Sequence, residues 1–529
     1  MPILENNLSE SKRFRLANIQ HFEGLLLLIF FVLGLLGILN HAMWRDELNG
    51  WLIARDSLSL TDFWNNIRYE GHPILWYACL YVLNQITANA IAMQLFHLGL
   101  ATVAISLFIY FSPFTRLQKL LFVLGYLPIY EYLLISRNYA IGILCLFAFC
   151  SLFQTRKKSY LALALILALL ANTNAYCLLI TIALLLTLSI EYFSRKFIDI
   201  PLKVSQVDAL VSLGIVVAGI ILSVILLMPP GDSTLQGGAD QWFFQWDFHR
   251  FNQALTRIWN SYILVLVPGD SKPLDVFLFA VISIGILAFT ITAFSDYPIV
   301  LCFYLLGTGA IVLFTYLKFL GSARHYGHLY IILITAFWLR SYYSPSQLIP
   351  DFIKKYLSYP KIKFQLHRWR NWVKRYQVTF LMILLYAQLA AGIVSYSRDI
   401  FLPYSASRET ANYIKSMDFS KYSLVGSEDF AISPISGYLQ AQIYYPESKK
   451  LGSFVLFNQQ RQIVTDSEVL AQVHDLILQT QKPVLLILNH KLDASQPNLI
   501  IKPIQEFTNS FIGNEVYYLY EVNAVSDRF

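Results

Sequence analysis

The chain has 529 residues, of which 56% are hydrophobic and only 14% charged, with Lys and Arg outnumbering Asp and Glu by 40 to 33. Soluble domains carry nearer a quarter charged residues, so the composition excludes an ordinary soluble enzyme and a disordered chain. The net charge of +7 is gathered in a few loops between apolar runs, a membrane pattern and not a nucleic-acid surface.

A hydrocarbon core of about 30 Å takes about 20 apolar residues per helix. In chain order, the stretches that meet or approach this are 23–41, 90–111, 119–135, 139–154, 160–171, 175–190, 207–228, 274–294, 298–319, 326–340 and 378–396. These predict about 11 transmembrane helices, although 160–171 and 175–190 also read as one helix broken around Asn172-Thr173-Asn174. The first run is too long for a cleavable signal and lacks a small-residue cleavage site. Five cysteines, Cys79, Cys145, Cys150, Cys177 and Cys302, fall in apolar stretches with no metal-ligand spacing.

Basic residues set the orientation. Lys12, Arg13 and Arg15 precede the first span; Arg116 with Lys119, Arg156-Lys157-Lys158, and Arg195-Lys196 with Lys203 fill alternate loops. Segment 341–377 holds Lys354, Lys355 and six more basic residues against Asp351 alone. These loops are expected to be cytoplasmic, with the N-terminus inside. The opposite face then holds 42–89, the connection around Arg137, the loop 229–273 and everything after 397. This requires the apolar stretch 74–88 to dip into the membrane and return.

The stretch Met43-Trp44-Arg45-Asp46-Glu47-Leu48-Asn49-Gly50-Trp51 follows the first span directly. Two adjacent carboxylates at membrane depth are costly unless used or paired. They either act on an acceptor hydroxyl or a divalent cation, or they mark the boundary and pair with Arg45. Next, Ser59 and Asp62 resemble a capping box, and Leu60, Phe63, Trp64 and Ile67 fall on one face of a short interfacial helix. Tyr69-Glu70-Gly71-His72-Pro73 then opens the dipping helix, with Pro73 suited to a helix start.

Ser136-Arg137-Asn138-Tyr139-Ala140 lies at an external helix end. The break continues as Asn174-Ala175-Tyr176, and Ser322-Ala323-Arg324-His325-Tyr326-Gly327-His328 forms an external Arg-His cluster after Lys318. Gln241-Trp242-Phe243-Phe244-Gln245-Trp246 suits an aromatic belt better than a sugar platform. The tail 398–529 is polar and alternates β-like strings (Tyr422–Gly426, Pro483–Asn489, Val516–Val522) with helix-like stretches 405–416 and 467–479. It reads as a small α/β domain outside the cytoplasm, beside a membrane module 1–397.

Taken in order, the Asp-Glu pair, the interfacial helix, the His-Pro entry, the Ser-Arg-Asn-Tyr string, the broken helix and the Arg-His cluster resemble the GT-C glycosyltransferases. Within these, they are similar to the branch of protein O-mannosyltransferases and the lipid A aminoarabinose transferase, over roughly residues 20–340. The resemblance implies an inverting membrane transferase that moves a sugar from a polyprenyl-phosphate donor to a protein, lipid or polysaccharide acceptor on the external face. It implies Asp46 as base or acceptor-positioning carboxylate with Glu47 beside it. His72, Arg137, Asn174, Lys318, Arg324 and His325 then line the donor site, and a bacterial inner membrane is the expected location. No sequence feature requires a cofactor, and a divalent cation is compatible with the acids. This sequence has Ile141-Gly142-Ile143 where many relatives carry an acid.

Two other classes fit the composition. A flippase or transporter of lipid-linked sugars also needs Arg and His, but binds near the midplane and often shows repeats, whereas here the polar groups gather at one rim. An O-antigen ligase or polymerase usually has its large loop between late helices.

Overall fold

The computed structural model describes residues 2–195, 202–234, 242–264, 272–349 and 359–525, and of residues 2–20 the backbone alone. Lys196, Gln241, Asp351, Lys354, Lys355 and the side chains of Lys12, Arg13 and Arg15 therefore lie outside the described residues.

The chain enters as the 39-residue helix α1 (Pro2–Asn40). Three short helices follow, α2 (Arg45–Asp56), α3 (Leu60–Ile67) and α4 (Ile74–Asn84), then the 21-residue α5 (Ile91–Phe111) and the short α6 (Arg116–Val123), leading into a π-turn at Leu127–Glu131. The next group is α7 (Tyr139–Leu152), α8 (Leu161–Ala171), α9 (Ala175–Ser194), α10 (Gln206–Leu227) and α11 (Phe248–Ile263). After these come α12 (Pro273–Phe294), α13 (Pro298–Leu317), α14 (Ala323–Tyr326), α15 (His328–Arg340) and the 42-residue α16 (Pro360–Phe401).

Among the described residues, eight helices are long and apolar enough to cross a membrane. They account for eight of the eleven expected spans. The other three are shorter for visible reasons. Residues 119–135 break at Leu124 into α6 and the π-turn, which carries Pro128. Helix α8 stops after 11 residues at the Asn172 break, and α15 has 13 residues. Helix α15 is hydrophobic all round and buried along almost its whole length, the signature of a central element. Helix α10 is its opposite. It buries only Ser212, Val216, Ser223 and Leu226 and leaves Val207, Leu210, Ile221 and Ile225 exposed, as a lipid-facing helix must. Helix α4, the expected dipping segment, has 11 residues, too few to cross.

The C-terminal domain is a six-stranded sheet of order β3-β2-β1-β4-β6-β5. Its strands are β1 (Ser423–Ser427), β2 (Ile443–Tyr445), β3 (Lys450–Gly452), β4 (Val484–Leu488), β5 (Leu499–Phe507) and β6 (Tyr517–Ala524). Strand β1 runs parallel to β2 and β4, and the remaining pairs are antiparallel. Strand β4 is apolar at every position because both faces are covered. Leu485 and Ile487 pack under α17 (Ser407–Ser416) and α18 (Asp429–Leu439). Val484, Leu486 and Leu488 pack against α19 (Asp466–Thr480).

This domain is clamped onto the start of the membrane module. The Arg408 guanidinium donates to the backbone oxygens of Leu39 and Asn40, capping the carbonyl end of α1. The Tyr438 hydroxyl accepts the Met43 N–H at 2.7 Å, and the Ser407 hydroxyl donates to the Met43 oxygen at 3.1 Å.

Candidate active site

Trp44 is the N-cap of helix α2, and Asp46 and Glu47 occupy its first turn, where the helix dipole favours anions. The two carboxylates then diverge. The Asp46 Oδ2 accepts from Arg137 at 2.6 Å and from Arg324 at 3.2 Å, with Arg45 Nε 3.8 Å from Oδ1. Burial pushes this carboxyl upward, but the guanidinium groups of Arg137, Arg324 and Arg45 outweigh it and hold Asp46 below its ordinary value.

Glu47, expected as a catalytic neighbour, faces away from this cluster and is absent from the cavity wall. It is fully enclosed, with Oε2 3.0 Å from His41 Nε2 and Oε1 accepting the Ser136 N–H at 2.6 Å. Adjacent residues on a helix point about 100° apart, and here that turn carries Glu47 out of the cavity wall and toward His41. His41 meets Asp399 through Nδ1 at 3.0 Å, giving a buried line Asp399–His41–Glu47 that ends on the backbone beside Arg137.

A cavity of about 700 Å³ opens in front of Asp46. It brings together Asp46, His72, Arg137, Asn174, Lys318, Arg324 and His325, seven of the eight residues singled out in the sequence. Arg137 Nη2 lies 2.7 Å from His72 Nε2, which must accept and so leaves the ring proton on Nδ1. Burial, followed by the Arg137 charge, pushes His72 down to about 3, so the ring is a neutral donor at pH 7. Arg324 lies over the Trp44 ring at 5.0 Å. His325 Nδ1 lies 3.0 Å from the Ser322 backbone nitrogen, across a turn where Gly321 adopts φ +71° and a Cβ would strike the His325 Cβ at 2.8 Å. Asn174 caps α9 by accepting the Cys177 N–H at 2.9 Å, which explains the break between α8 and α9. Lys318 lies over Trp242 at 4.8 Å, so one residue of the expected aromatic belt lines the cavity, while Phe244 and Trp246 are exposed.

Sequence reasoning passed over three sets of lining residues. Glu70, two residues before His72, accepts from Asn49 at 2.6 Å and Tyr77 at 3.1 Å, and burial raises it above its ordinary value. Its place in the same polar run was the available signal. Tyr139 and Tyr176 stood inside quoted motifs without a role. Phe430, Ser433, Val455 and Phe457 come from the C-terminal domain, and nothing local marks them. Val455 is tied to α2 by the Asn49 carboxamide, which accepts its N–H at 2.9 Å and donates to its oxygen at 3.2 Å.

The wall has two characters. Leu178, Leu179, Val224, Leu227 and Phe314 form an apolar side from membrane helices, and the cations around Asp46 form the other. Among the described residues, no group of three His, Cys, Asp or Glu side chains converges to hold a metal ion. Asp46 is instead neutralised by guanidinium groups, so the donor set present suits an anionic ligand better than a divalent cation.

A bundle of long apolar helices is joined here to a C-terminal sheet domain, with the acidic helix α2 at a cationic cavity. No family model matches the sequence, and no curated protein matches it. The fold does have relatives among solved structures. ArnT from Cupriavidus metallidurans bound to undecaprenyl phosphate superposes with a TM-score of 0.53 at 12% identity, covering 95% of this chain and 98% of that one. The apo state of ArnT gives 0.50 at 12% identity, over 94% and 97%. At this identity the likeness is one of fold, and it bears out the resemblance drawn from the motifs at that level.

Proposed function

We propose that the chain is a membrane glycosyltransferase that moves a sugar from a polyprenyl-phosphate donor to an acceptor hydroxyl on the extracytoplasmic face, with inversion. The observation that carries this reading is one carboxylate, Asp46, shared by Arg137 and Arg324 at the junction of a cationic pocket and an apolar wall. A prenyl phosphate has the matching halves, an anionic head and a hydrocarbon tail.

In the step, the acceptor oxygen forms a bond to the anomeric carbon as the bond from that carbon to the phosphate oxygen breaks. The electron pair leaves with the phosphate, whose growing charge Arg137, Arg324 and the neutral His72 and His325 donors stabilise. The acceptor proton passes to Asp46 or, through it, to solvent. In the free protein Asp46 is a weak base, because two guanidinium groups hold it. An arriving phosphate draws on the same cations, so its binding raises the proton affinity of Asp46 when a base is needed.

Arg324→Ala is expected to weaken binding of undecaprenyl phosphate about 100-fold, the scale of a lost charge-assisted contact in a dry site. Retained carrier binding with lost turnover would remove Arg324 from the phosphate site. For topology, we assign residues 1–397 to the membrane module of a bacterial inner membrane, N-terminus inside, and 398–529 to the external domain. A cysteine tag after residue 397 is expected to react with an impermeant maleimide in intact spheroplasts. Labelling only after permeabilisation would reverse the assignment.

A further inference from the structure

Helix α16 has 42 residues, about 63 Å at 1.5 Å per residue, roughly twice what the hydrocarbon core requires. Its apolar run, 378–396, rises about 28 Å and accounts for the crossing. Most of the excess precedes that run. Residues 360–377 carry Lys361, Lys363, Arg368, Arg370, Lys374 and Arg375 and no acid.

One face of this extension is used inside the protein. Trp369 and Val373 pack on Phe289 and Ala293 of α12, and Trp369 Nε1 donates to the Thr292 hydroxyl at 2.9 Å. Arg370 and Lys374 both pair with Asp296, in the turn between α12 and α13. The other face has no such use. Successive residues turn by about 100°, so Phe364, Arg368 and Arg375 point away from the buried Val373. Arg368 and Arg375 are exposed, and among the described residues no carboxylate pairs with either. Each guanidinium lies over a ring, Arg368 over Phe364 at 5.9 Å and Arg375 over Tyr376 at 5.6 Å. Trp372 meets Tyr376 with ring centroids 5.4 Å apart, and the two are 48% and 39% exposed.

The level of these groups decides what they meet. The polar layer of a bilayer is about 5–8 Å deep on each side of the core. The backbone of Tyr376, Arg375 and Trp372 stands about 3, 4.5 and 9 Å from Val378, within that layer or at its edge. Arg368 stands about 15 Å out, about one Debye length from the lipid phosphates. Trp and Tyr are the aromatic residues suited to this depth, and exposed arginines beside a membrane are drawn to anionic headgroups. A soluble acidic partner would find Arg375, Trp372 and Tyr376 screened by those headgroups.

We propose that this face of α16 is a binding site for anionic phospholipid, with Arg368 and Arg375 holding the headgroup charge and Trp372 and Tyr376 seated in the polar layer. The site stands apart from the cavity at Asp46, and the proposal does not depend on the transferase reading.

The test uses the purified full chain reconstituted in vesicles of equal parts phosphatidylglycerol and phosphatidylcholine. Lipids that stay with the protein after mild detergent extraction are counted by mass spectrometry. The wild type is expected to retain phosphatidylglycerol with a preference of about 5-fold or more, the scale of one or two basic residues at a membrane surface. Arg368→Gln with Arg375→Gln should bring the preference below about 2-fold, while Arg368→Lys with Arg375→Lys should keep most of it. Both positions are exposed, so the variants should melt at the wild-type temperature. Lys157→Gln with Lys158→Gln removes two charges from another loop expected on the same side, and should leave the preference intact. A wild type without preference, or a preference unmoved in the Arg368→Gln, Arg375→Gln protein, would overturn the proposal. So would an equal fall in the Lys157→Gln, Lys158→Gln protein, which would show an effect of total charge and not of a site.

Discussion

Asp46→Asn is expected to lower sugar transfer by 100-fold or more while the protein folds and still binds undecaprenyl phosphate. The substitution is nearly isosteric and removes only the negative charge. Loss of a positioned acid–base group typically costs about 10²–10⁴ in rate. It also leaves Arg137 and Arg324 without their shared anion. Carrier phosphate should then bind at least as tightly as in the wild type, because it no longer competes with a carboxylate. The split between binding and turnover is the informative readout, measured by titration with the carrier and by donor consumption in the same preparation. Unchanged turnover would take Asp46 out of the chemistry. In the free protein its carboxyl sits below the usual range, so its charge, and any stability it confers, is lost only as pH falls beneath ordinary carboxylate values.

The second large effect is structural. His41→Gln should destabilise the protein by about 3–5 kcal/mol, the cost of removing one member of a buried ion cluster. His41 is 1% exposed and lies between two enclosed carboxylates, Glu47 and Asp399. Burial opposes its charge, but Asp399 and Glu47 prevail and raise it from 6.5 to about 10. A folded-state value above the unfolded one adds stability that is complete below about pH 6.5 and declines as pH rises toward 10. Wild-type thermal stability should therefore fall over that interval, and the His41→Gln protein should show a flatter profile there. Equal slopes would mean that His41 is neutral. Because Glu47 also holds the Ser136 N–H, the variant should misplace Arg137 and lose activity even where it remains folded.

Much of this organisation was legible in the sequence, and the limits have physical causes. Long apolar runs announce helices because a bilayer demands length, so eight of the expected spans recur as long helices. The runs 119–135, 160–171 and 326–340 share that composition but are shortened by the π-turn, the Asn174 cap and the Gly327 junction, which hydropathy does not register. In the C-terminal domain, the apolar strings of β1, β4 and β6 stood out. Edge strand β5 did not, since it is largely solvent-exposed and interrupted at Pro503, where its register with β6 shifts. Helix α18 was hidden by the internal Pro434 and by its start after Glu428 at φ 63°. At the site, charged residues in apolar surroundings were conspicuous, because they are costly there without a use. Which of Asp46 and Glu47 faces the cavity depends on helix phase and on His41, whose partner Asp399 is 358 residues away.

The helix that carries Asp46 is not finished by its own neighbourhood. Asp399 steadies its approach through His41, Val455 clasps Asn49, and Glu515 accepts the Arg45 N–H at 3.1 Å. These supports are translated hundreds of residues after the helix itself. If α2 carries the proposed chemistry, a nascent chain on the ribosome holds an unready centre until its final strands are made, and premature termination is expected to yield an inert product.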